Sequence, residues 1–146
     1  MKWMRLSLLA GTLALCAPAA DITGTWKAVF LAPQEKWPKT VSKMVFDLQT
    51  DGTALSGTAH IGSWPGEAPI SGGKIDGDLI SFTVIGKLPW RSSGPQGAAS
   101  GYPRLSFSGT ISGKEMHLTL VWDSILIYGN VNSATEWQMQ GQKIAD

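Results

Sequence analysis

Two stretches of this chain repeat one another in register. "KIDGDLISFTV" and "TISGKEMHLTL" align Ile75 with Ile111, Gly77 with Gly113, Ile80 with Met116 and Phe82 with Leu118. Each alternates apolar and polar residues with period two around a glycine turn. That pattern suits a tight antiparallel hairpin and no helix. "QTDGTALSG" turns in the same way at Asp51-Gly52, and no stretch of comparable length shows helical spacing. Candidate strands cover Ile22–Phe30, Ser42–Gln49, Ala54–Ile61, Pro69–Ile75, Leu79–Ile85, Arg104–Ile111, Glu115–Trp122 and Thr135–Gln140. Strands of this number close into a small barrel, so the expected fold is all-β, an eight-stranded antiparallel up-and-down barrel.

The alternation also sorts the faces. Inward parity collects Trp26, Phe30, Met44, Phe46, Leu48, Leu55, Ala59, Ile61, Ile70, Ile80, Phe82, Val84, Leu105, Phe107, Ile111, Met116, Leu118, Leu120, Trp122, Trp137 and Met139. Outward parity carries Ser81, Thr83, Ser106, Ser108, Thr110, Thr119, Glu136, Gln138 and Gln140. His60 and His117 fall on that outer face, where neither converges with partners for a zinc site or a catalytic triad.

The chain begins "MKWMRLSLLAGTLALCAPAA": two basic residues, a short apolar run and small residues. This is the pattern of a cleavable secretory signal over 1–20, leaving one β-barrel domain over 21–146 and a secreted or periplasmic product. Cys16, the only cysteine, lies inside that leader. Leu15 stands before it where a lipobox has a small residue, so lipid attachment is not the expectation. Loss of Lys2 and Arg5 leaves 10 basic against 11 acidic residues, a mature net charge of about −1. With no basic stripe, nucleic acid is not an expected partner. Neither is a membrane once the leader is cut, and no cofactor or metal is expected.

In a meander each connection lies at the end opposite its predecessor. The short hairpins after the second, fourth and sixth strands therefore close one end, and the longer connections gather at the other. Three tryptophans beside prolines fall in those longer connections: Trp37 in "EKWPK", Trp64 in "GSWPGE" and Trp90 in "KLPWRSSGP". They should share a rim. The connection "KLPWRSSGPQGAASGYP" also holds Tyr102 and reads as a lid or flap.

The stretches "DITGTWK", "DGTALSGTA", "ISFTV", "LSFSGTISG" and "LTLVW" resemble, in order and spacing, the strands of avidin and streptavidin. The chain is also similar to a group of short exported proteins of soil bacteria with I-x-G-x-W after the leader and G-x-I-x-G-x-x-I-x-F mid-chain. The avidin resemblance implies a calycin-like barrel binding a ligand at one end. It implies a stacking role for Trp122, with Trp137 as another match. It does not imply biotin: the polar contacts of that family are replaced here by Ala28, Ala59 and Phe107.

The expectation is a small apolar or carbohydrate ligand held by Trp37, Trp64, Trp90, Tyr102 and Trp122, because aromatic rims offer stacking and few hydrogen bonds. A second reading is a secreted inhibitor or interaction module that inserts the same loops into another protein. A third is a glycoside-active enzyme using Glu35 and Glu67, and Asp123 opens the last of the long connections.

Overall fold

The computed structural model describes residues 20–31, 43–62, 64–95, 97–129 and 134–146. Most of the leader, Glu35 and Trp37 lie outside them. Nine strands are formed among the described residues: β1 (Gly24–Phe30), β2 (Lys43–Asp51), β3 (Ala54–Ile61), β4 (Ala68–Asp76), β5 (Leu79–Ile85), β6 (Trp90–Gly94), β7 (Gly97–Ser112), β8 (Glu115–Tyr128) and β9 (Thr135–Ala145). All pairings are antiparallel. Eight of the strands close a barrel in chain order. β5 pairs with β7, and β9 returns to β1, with Ala145 opposite Thr25. No helix is present among the described residues.

Three hairpins close one end. Asp51 pairs with Ala54, Asp76 with Leu79 and Ser112 with Glu115. The two-residue loops are therefore Gly52-Thr53, Gly77-Asp78 and Gly113-Lys114, so that the first lies one position later than the Asp51-Gly52 pair and Gly77 and Gly113 open the other two. Each begins with a glycine at φ near 60° (61°, 59° and 60°), and among the described residues no other residue type has positive φ. Glycine at the first central position fits the twist of the flanking strands. These turns bond to one another's strands: Ile111 N donates to Asp78 O, and Ile75 N to Thr53 O. Trp26 is 0% exposed there, and its Nε1 donates to Ile22 O at 2.9 Å.

Inward parity holds along the barrel. The named inward residues are buried, except that Phe30, Trp122 and Trp137 are only half-buried and pack on the edge of the core. At mid-height Phe46, Phe82 and Phe107 fill the lumen. Phe82 and Phe107 stack at 4.8 Å, and Phe46 stands edge-on to both at 5.2 Å. The barrel is thus a packed core through its middle, as an eight-stranded barrel can be. His60 and His117 are exposed on the outer wall.

The connection after β5 differs from the expected lid. Its described residues form a hairpin, β6 against the first part of β7, with Trp90 opposite Gly101 and Gly94 opposite Gly97. β8 runs on beside it, from Asp123 opposite Arg104 to Tyr128 opposite Ser100. A three-stranded ribbon therefore rises from the loop end of the barrel. Pro103 suggests a break in the sequence, yet β7 passes through it. The proline sits between the last residue paired with β5, Arg104, and the first paired with β6, Gly101. On that edge β7 has no strand demanding an N–H, while its other edge pairs Pro103 with Ser124 of β8, and a sheet tolerates proline where the N–H side is free. Asp123 likewise belongs to a strand, not to a loop.

Candidate functional site

The alternating loop lengths bring Trp64 and Trp90 to one rim, and Trp122 joins them from β8. The three line a cavity of about 280 Å³ at the loop end, together with Ala59, Ile61, Ala68, Gly86 and a set of prolines, Pro65, Pro89 and Pro103. Depressions on the outer wall have larger volumes, about 410 and 430 Å³. They are troughs across exposed strand faces, with no comparable set of aromatic walls.

The space exists because small residues face each other across two strands. Ala59 on β3 is opposite Ala68 on β4, and both are buried. Where larger side chains would meet, these leave a gap that Trp64 covers. Gly86 lets the wall close: a Cβ there would fall 2.5 Å from Pro103 Cγ and 3.2 Å from Trp64 Cη2. Its N–H donates to Pro103 O at 2.8 Å, tying the end of β5 to β7.

Two bonds hold Trp90. Its indole Nε1 donates to Ser124 Oγ at 2.9 Å, and its backbone carbonyl accepts from the buried Ser100 Oγ at 2.8 Å. Both serines lie on the ribbon strands, so the ring is fixed against the sheet. A Trp with its polar edge satisfied can present an apolar face. An aromatic arc continues around the rim. Trp122 lies 6.4 Å from Trp137, and Trp137 meets Phe30 edge-on at 6.3 Å.

On the outer face, where β7 and β8 leave the barrel, Arg104 Nε donates to Asp123 Oδ1 at 2.7 Å, and Arg104 Nη2 bonds the other oxygen. The bidentate guanidinium holds the Asp123 carboxyl below the usual carboxylate range, against the opposing effect of partial burial. The arginine is raised by the same bond.

Of the residues singled out in the sequence, Trp64, Trp90 and Trp122 converge. Tyr102 does not line the cavity. It alternates with Pro103, so its ring leaves the other face of β7, opposite Ile125. Glu67 is exposed and is not part of the lining. The proposed partners Glu35 and Trp37 lie outside the described residues. Sequence reasoning missed Ala59 and Ala68 as cavity makers, Ser100 and Ser124 as the posts of Trp90, and Lys87 at the mouth. Parity marks Ala59 as inward, whereas Ala68 lies just before the expected strand Pro69–Ile75, and the small size of the two has meaning only once they stand opposite each other. Among the described residues no three His, Cys, Asp or Glu side chains converge to hold a metal ion. No family model, curated protein or solved structure matches the chain.

Proposed function

We propose that the chain is an exported, avidin-like barrel that binds a small apolar ligand in the cavity beneath Trp64, Trp90 and Trp122. The observation that carries this reading is a lined space at the loop end, above a core that is otherwise filled. Binding pockets of this kind are concave and mostly apolar, with a few placed polar groups. The wall favours an apolar ligand over a sugar: its lining has no carboxylate or amide side chain, and a sugar needs partners for its hydroxyls. Export rests on the leader pattern over 1–20. An apolar interior and a polar outer wall suit a barrel surrounded by water, the inverse of a lipid-facing one.

The test is to fill the space. Ala68→Phe puts a ring where the ligand would lie, and a screen of small hydrophobes against the wild type should give hits that this variant loses while it still unfolds cooperatively. Retained hits in the filled variant would defeat the reading.

A second reading, a protein-interaction module, is favoured by exposed apolar side chains beside the rim: Leu88 at 64%, Ile127 at 55% and Tyr128 at 51%. Such residues are typical anchors when clustered. A partner captured through the ribbon would then depend on Ile127 and Tyr128 and survive Ala68→Phe.

A further inference from the structure

The lining is apolar with one exception. Lys87, in the segment joining β5 to β6, is the single ionisable side chain among the lining residues. No carboxylate among the described residues pairs with it, since the ion pairs there are Arg104–Asp123 and Lys143–Asp146. Among the described residues the nearby acids do not balance it. Asp123 follows Trp122 in sequence, but its two oxygens are taken by Arg104 across the outer face. Glu67 is exposed and lies outside the lining. A solvated ammonium therefore stands over an apolar recess.

That combination selects a ligand chemistry. Low-dielectric walls focus the field of a charge at their mouth, so an anion is drawn to this opening and a cation is repelled. The floor can offer only apolar contact, so the rest of the ligand must be hydrocarbon or aromatic. Its size follows from the volume: an apolar cavity of roughly 150 Å³ takes one benzene, and about 280 Å³ leaves room for two fused rings. Indole faces and proline rings favour a flat body over a flexible chain.

We propose that the cavity takes a small planar organic anion, its two-ring body between Trp64, Trp90 and Trp122 and its carboxylate at Lys87. The proposal rests on the apolar-ligand reading above and adds the charge and shape of the ligand to it.

Calorimetric titration at low ionic strength with 2-naphthoate and 2-naphthalenemethanol tests it, because the two probes share a ring system and differ in the head group. Both should bind, the acid about three- to tenfold tighter, the range of an ion pair at a partly desolvated mouth. Added salt should shrink the difference. In Lys87→Gln the acid-to-alcohol ratio should fall to about one, whereas Lys114→Gln, at the hairpin end, should keep it. Equal affinities in the wild type, or a ratio that survives Lys87→Gln, would overturn the anion preference and leave the apolar-cavity reading standing. Failure of both probes to bind the folded wild type, or binding that survives Ala68→Phe, would overturn the two together.

Discussion

At the hairpin end Trp26 is wholly buried and its indole N–H bonds the Ile22 carbonyl, whereas at the loop end Trp64, Trp90 and Trp122 stand half-buried around a cavity. The residue type is the same and the surroundings differ. At that end Ile22, Ile75 and Ile111 are buried in the same core, and two-residue turns draw the strands together. Around the other three the strands diverge into longer connections, and two alanines face each other where the hairpin end has isoleucines. Burial of a tryptophan is thus set by what stands opposite it.

The largest effect should come from exchanging the two ends' tryptophans for alanine. Trp26→Ala removes a fully packed ring and leaves the Ile22 carbonyl without its donor, so a loss of about 3–5 kcal/mol is expected in urea unfolding. Phe82→Ala, which opens the stacked pair with Phe107, belongs to the same range. Trp64→Ala removes only partly buried area and should cost about 1–2 kcal/mol, with any cavity ligand lost. If Trp64→Ala destabilised as much as Trp26→Ala, the ring at the loop end would be a plug and the contrast between the ends would disappear.

A smaller effect tests how Trp90 is held. Ser124→Ala removes the acceptor of its indole N–H, at a cost of about 0.5–1.5 kcal/mol for a partly buried hydrogen bond. Its sharper signature is a red shift of tryptophan emission as the ring loosens toward water. An unchanged spectrum would mean that packing alone fixes the ring.

The hairpin end was the more legible half in the sequence. Its register depends on local signals, glycine turns and period two, and Ile75 and Ile111 are both buried in the two repeated hairpins. The loop end depends on pairings between distant segments. Nothing local in "WRSSG" or "DSILIY" shows that each will line up with "GAASGYP", and Pro103 argues against a strand unless the gap between β5 and β6 is known. β9 likewise extends to Ala145 because β1 is there to receive it, five residues beyond the period-two signal that ends at Gln140. Of the cavity, the rim tryptophans could be read from loop lengths. The opposing alanines and the serine posts required the register.

The smallest expected effect concerns the Arg104–Asp123 pair, which sits where the ribbon leaves the barrel. On one side of it β7 loses β5 after Arg104, and on the other β8 loses β9 after Trp122. The two strands continue without those neighbours, and the bidentate pair clasps them at that step. Because the Asp123 carboxyl is lowered in the folded protein, its contribution is full above the ordinary value of 3.8 and is lost as pH falls through the lowered value. The side chains are 40% and 29% exposed, so water screens the pair and its worth to global stability is at most about 1 kcal/mol. Asp123→Asn should therefore barely move the urea midpoint at neutral pH and should flatten the acid limb of stability slightly. Amide exchange reads the local effect: in the variant the amides of Gly101, Ser124 and Leu126 should exchange faster, while those of Phe46 and Phe107 in the packed middle stay protected. Equal acceleration in both regions would mean that ribbon and barrel open as one unit, and that the cavity wall is as rigid as the core beneath it.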